Sequence, residues 1–220
     1  MCFWMSLTER DKAIIKDLNK FRVMDRDSIA ELHFSNSKNP KDSTNHVLLR
    51  LLREGHIQRS TTFTPYVYFG AESKIKKDSV KIAHFLSILN VYKELVKLVN
   101  IGTFLVEPKY GKKGECAEPD IFCQYRQTNF FVEVQRTLYS EKQMNEKLDR
   151  YIDLYNSGAM TNPFPHVLIL SEQRYAIDYS NHYPFKIFQA ESFTQFVNSL
   201  TPTVKVNVNP VKIKRNVQGE

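Results

Sequence analysis

Apolar positions fall into two successive regimes along the chain. In the first seventy residues, Ile14, Ile15 and Leu18, and later Val47, Leu48, Leu51 and Leu52, recur at the spacings of helices that bury one side. Ser6 stands three positions before Glu9, the spacing of a capping box, so a first helix is predicted over 7–19. A second is predicted over 27–33 and a third over 41–54, with Gly55 closing the last. The stretch "HIQRSTTFTPYVYFG" then supplies two β-type runs around "TFTP" and ends at Gly70. Three helices followed by a hairpin predict an N-terminal winged helix-turn-helix over 1–72.

After the charged connector "AESKIKKDS" the pattern changes. Asp78 or Ser79 can start a long helix reaching about Asn100, and Ile82, Leu86, Leu89, Tyr92, Val96 and Val99 cover so much of its circumference that it must pack between other elements. "GTFLVEP", "EPDIFCQY" and "NFFVEVQRT" read as strands, 141–155 as a helix, "HVLILS" as a strand, and "FKIFQAESFTQFVNSL" as a strand and helix. This order predicts a second, α/β domain with a mixed sheet over 73–200, so the fold class is α+β. The basic tail, 201–220, can be extended, a last strand or disordered. No internal repeat is present.

Charge adds a partner class to this outline. The formal net charge of +7 suits a polyanion, and double-stranded DNA is the partner a winged helix would serve. Cys2, Cys116 and Cys123 are odd in number and lack zinc-ligand spacing, which suits a cytoplasmic protein. "MCFWMSL" is too short for a signal peptide, and the apolar stretch 79–101 is broken by Lys81, His84, Lys93, Glu94 and Lys97, so no membrane span is implied.

In a winged helix the second helix of the pair enters the major groove and the hairpin flanks it. Lys41, Ser43, Thr44, Asn45, His46 and Arg50 are the donors the third helix offers, and Arg53 and Arg59 extend them toward the wing. The plainer reading is a solvated helix face. His33, His46 and His56 are too irregularly spaced to argue for a metal.

The second domain carries its chemistry in "EPDIFCQYRQTNFFVEVQRT". Strand alternation points Phe130, Val132 and Val134 to one face and Phe131, Glu133 and Gln135 to the other. A carboxylate inside an apolar strand must be solvated, paired or bound to metal. A short turn near Arg126 to Thr128 can bring Asp120 and Glu133 to the same end of the sheet, where their oxygens would suit Mg²⁺ or Mn²⁺.

The order helix, strand, "PD", strand with "EVQ", helix resembles the PD-(D/E)XK restriction-endonuclease-like superfamily, with Pro119, Asp120, Glu133 and Gln135 at the motif. The departure is Gln135 where that superfamily carries lysine. With the winged helix in front, the chain resembles the replication-relaxation family of plasmids and other mobile elements, through "LTERDKAIIKDLNKFRVMDRDSIAELHF", "LLRLLREGHI", "EPDIF", "FFVEVQRT" and "KLDRY". The resemblance implies catalytic or relict roles for Asp120, Glu133, Gln135, Lys147 and Tyr151. Lys147 and Tyr151, one helical turn apart, would sit on the helix after the acidic strand, with Lys147 lending the charge that Gln135 lacks. The alternative is that Lys147 pairs with an acid such as Glu133 and Tyr151 is half-buried core. Glu94 resembles the helical acid that some members use as a further metal ligand, although an acid between Lys93 and Lys97 is ordinarily solvated.

Three functions are compatible with these features. The first is a DNA-binding accessory protein of a mobile element, acting in replication or transfer, with replication or relaxase proteins as further partners. The second is an active Mg²⁺-dependent endonuclease or nickase. The third is a transcriptional regulator whose second domain forms a homodimer.

Overall fold

A computed structural model describes residues 7–160, 162–177 and 182–200. Among them are six helices and two sheets in an α+β arrangement. The helix α1 (Glu9–Phe21) is capped by Thr8, whose hydroxyl accepts from the Asp11 N–H while the Asp11 carboxylate accepts from the Thr8 N–H. The capping box therefore begins two residues later than Ser6, which lies outside the described residues. Ile14, Leu18 and Phe21 are its buried stripe.

The strand β1 (Met24–Asp25) leads into α2 (Arg26–His33), where the Asp25 carboxylate caps the first turn. The next helix, α3 (Pro40–Arg53), starts on a proline that has no helical donor to lose, and Gly55 at φ +77° turns the chain out of it. It leads to β2 (Ile57–Ser60) and β3 (Val67–Gly70), which with β1 form an antiparallel sheet ordered β1-β3-β2. The sequence-derived division at 72 falls in the turn after β3, and the tail 201–220 lies outside the described residues.

The long helix, α4 (Lys81–Leu98), begins two to three residues later than the connector suggests, because Ser79 and Lys76 first form a turn. It precedes β4 (Phe104–Val106), β5 (Ile121–Tyr125) and β6 (Thr128–Val134), then α5 (Glu141–Asn156), β7 (His166–Leu170), β8 (Ile187–Ala190) and α6 (Phe193–Leu200). The five strands form one sheet ordered β4-β5-β6-β7-β8. The β4-β5 and β5-β6 pairs are antiparallel and the β6-β7 and β7-β8 pairs parallel, with α5 supplying the crossover that a parallel pair requires.

Alternation along β6 decides which helix covers which face. Phe130, Val132 and Val134 join Ile121, Cys123 and Leu168 beneath α4 and α6, whereas Phe131, Val167 and Ile169 lie beneath Met144, Leu148, Tyr151 and Leu154 of α5. The first of these cores does not stop at the large sheet. It continues into Phe21, Met24 and Phe69 of the N-terminal elements, and the Phe21 and Tyr92 rings meet at 4.7 Å between centroids, with Phe104 5.0 Å beyond Tyr92. Lys20 places its ammonium 4.5 Å from the Tyr92 centroid, and Glu31 of α2 pairs with both Lys93 and Lys97 of α4. No helix among the described residues is long and apolar enough to cross a membrane.

Candidate functional site

The β5-β6 hairpin sets the position of the two acids before any side chain is considered. Arg126 and Gln127, at φ 46° and 66°, make a two-residue turn of the kind whose twist matches a hairpin, and Tyr125 pairs with Thr128 across it. That register runs to Ile121 opposite Val132, so Asp120, one step further, stands opposite Glu133. Residues opposed in an antiparallel pair share a face. The expected convergence at one end of the sheet is thus a consequence of turn length.

The two carboxylates meet different surroundings. Glu133 is only 2% exposed. Its Oε1 accepts a hydrogen bond from the Tyr151 hydroxyl at 2.5 Å, and the Lys147 ammonium lies 2.5 Å from Oε2 as an ion pair. Burial pushes the Glu133 carboxyl up to about 7 despite the attraction of Lys147. Burial also opposes the Lys147 charge, but Glu133 and then Asp120 outweigh it and raise the ammonium above its ordinary value. Tyr151, fully buried rather than half-buried, is held well above the ordinary phenol range by burial and the Glu133 charge.

Asp120 is partly open to solvent. Its Oδ1 accepts from His84 Nε2 at 3.1 Å and its Oδ2 from the Val134 N–H at 2.8 Å. Burial would raise its pKa, yet His84, Lys147 and the Val134 N–H together hold it below the ordinary carboxylate value. The hydrogen bond to Asp120 in turn raises His84 above the usual imidazole value, against its own burial. Sequence reasoning noted His84 only as an interruption of an apolar stretch. The available signal was a single imidazole one turn into α4, on a helix whose neighbouring Ile82 and Phe85 are buried.

The oxygens are of the hard type that Mg²⁺ or Mn²⁺ prefers, but their arrangement does not fit such an ion. Each of the four is already approached by a donor: Lys147 is a cation, and His84 becomes one when protonated. No group of three or more His, Cys, Asp or Glu side chains among the described residues could hold a metal. Glu94, the further acid, is elsewhere: its Oε2 accepts from the N–H and the hydroxyl of Thr194, at 2.7 and 2.9 Å, and so caps α6. Gln135 turns its amide back to the Thr137 carbonyl at 2.8 Å, and both Glu94 and Gln135 border a cavity of about 630 Å³ that neither Asp120 nor Glu133 lines.

The polar face of α3 is smaller than the sequence suggests. Lys41, Asn45, His46 and Arg53 are exposed, and His46 Nδ1 lies 2.9 Å from the Asp42 carbonyl of its own helix. Thr44 is fully buried and donates its hydroxyl to the Pro40 carbonyl at 2.7 Å, and Ser43 is half-buried with its hydroxyl 2.6 Å from that of Ser37. Arg50 is the main correction. Its guanidinium is bound to the Asp11 carboxylate of α1 at 2.7 Å and also pairs with Glu54, so it fastens two helices rather than facing outward. Arg59 lies on β2, 5.0 Å above the Tyr66 ring.

No family model, curated protein or solved structure matches the chain.

Proposed function

We propose that the protein binds double-stranded DNA through α3 and the β2-β3 hairpin, read as a winged helix. In this reading its second half is a PD-(D/E)XK-like module that holds DNA rather than cutting it, as an accessory factor in the replication or transfer of a mobile element. The observation that carries the reading is the Lys147 ammonium seated against Glu133. A carboxylate pair held by the chain's own lysine would be the relict of a nuclease site, with the ammonium satisfying the buried acid in place of a metal ion. The exposed donors Lys41, Asn45 and Arg53 and the half-buried Arg59 support the DNA half of the reading, as does the net charge of +7.

The second reading is an Mg²⁺- or Mn²⁺-dependent nickase. It requires Lys147 to leave Glu133 so that the acids could take the ion, the lysine then supplying the positive charge that Gln135 lacks. Incubation of the full chain with supercoiled plasmid and Mg²⁺ or Mn²⁺ separates the two. Retarded but uncut plasmid is the expected result. Nicking that disappears in Asp120→Ala overturns the accessory reading in favour of the enzyme, and failure either to retard or to nick any plasmid at moderate salt overturns both.

A further inference from the structure

The surface between α3 and the hairpin holds more than phosphate contacts require. A cavity of about 480 Å³ opens there, bordered by Asn45, Leu49, Arg26, Arg59, Tyr66 and Tyr68. Leu49 and Tyr66 are two of the large apolar side chains that the molecule leaves exposed, at 43% and 45%, and both border this cavity. Arg59 lies 5.0 Å over the Tyr66 ring, and Arg26 is held by Asp27 at 2.8 Å with its terminal nitrogens left for a further anion.

An apolar floor, an aromatic face, an amide and two guanidinium groups are the complement of one chemical object: a flat heteroaromatic ring carrying a phosphate. Paired bases inside a duplex cannot offer that object, because their faces are covered by their neighbours. An unpaired nucleotide offers its ring for stacking and its phosphate for the arginines. A surface that met only a duplex backbone would have no use for an exposed leucine in its middle, since those contacts are polar.

We infer that this cavity receives the base of an unpaired nucleotide, so that the preferred ligand of the protein is duplex DNA interrupted by a bulge or joined to a single strand. In this arrangement Tyr66 stacks on the base, Leu49 wedges against the adjoining base pair, Asn45 faces the base edge, and Arg26 and Arg59 meet the flanking phosphates. The inference rests on the DNA-binding reading and narrows its substrate.

Anisotropy titrations of the full chain with a blunt duplex, and with the same duplex carrying one bulged 2-aminopurine, test it. Expected are binding of the bulged DNA tighter by on the order of tenfold and quenching of the 2-aminopurine on binding. Tyr66→Ala loses both effects, while Tyr66→Phe, which keeps the ring, retains both. Equal affinity for the two duplexes, absence of quenching, or an unchanged preference in Tyr66→Ala overturns the inference and leaves the DNA-binding reading standing. Absence of binding to either DNA overturns the reading and the inference together.

Discussion

Arg50 of α3 and Asp11 of α1 are 39 positions apart in sequence and meet at 2.7 Å, with the carboxylate only 1% exposed. Asp11 also closes the capping box of α1, so one side chain organises a helix start and anchors a second helix. Burial opposes the Asp11 charge, but the Arg50 hydrogen bond and the Thr8 donors hold its carboxyl below the ordinary value.

Removing Arg50 leaves that carboxylate buried without its cation. Arg50→Ala is expected to lower the unfolding free energy by about 3 kcal/mol, and Arg53→Ala, at an exposed position of the same helix, by less than about 0.5 kcal/mol. Urea unfolding of the two variants checks this. Equal stabilities would mean that the Asp11 pair contributes nothing.

On the proposed DNA-binding reading, Arg53 and Arg59 rather than Arg50 meet phosphates. Arg53→Ala and Arg59→Ala should each weaken binding and reduce the slope of log K against log salt by about one. Titrations at several salt concentrations read this slope directly, and a slope unchanged in both variants would move the interface away from α3 and the hairpin.

Lys147 and Glu133 are coupled, and breaking the pair from either side strands a buried charge or a buried cation. Lys147→Met alone is expected to cost about 3 kcal/mol, whereas Lys147→Met combined with Glu133→Gln should cost clearly less than the sum of the two single changes. Thermal or urea unfolding of the four proteins in the cycle supplies the coupling energy. Strict additivity would show that the two groups do not interact.

The His84-Asp120 pair makes stability depend on pH in a defined window. His84 is raised in the folded state, so its contribution is full below the ordinary imidazole pKa and is lost as pH rises through the raised value. Asp120 is lowered, so its contribution is present above the ordinary carboxylate pKa and is lost as pH falls through the lowered value. His84→Ala should therefore cost more stability at about pH 5.5 than at about pH 9. Urea midpoints at the two pH values test this, and a cost independent of pH would remove the charge of His84 from the account.

What the sequence made legible depended on how local the cause was. The alternation in "NFFVEVQRT" assigned both faces of β6, and a two-residue turn was enough to set Asp120 opposite Glu133. The partners of those acids were less legible, because they arrive from α4 and α5 and only packing decides which cation reaches which oxygen. Arg50 illustrates a subtler loss. Ser43, Val47, Arg50 and Glu54 form a half-buried stripe on α3, whereas Asn45, His46, Leu49 and Arg53 form the exposed one, and residue type alone placed Arg50 in the wrong stripe. Glu94 was read by its charged neighbours, although its partner is a helix start 100 positions away.

The aromatic contact of Phe21, Tyr92 and Phe104 bears on how the molecule comes apart. Because the N-terminal elements and the large sheet share this core, heating or denaturant should melt them in one cooperative transition rather than in two. A protease cut in the segment between β3 and α4 would yield fragments that stay associated, since separation would hand each a bare aromatic surface. The halves differ in architecture and remain a single thermodynamic body.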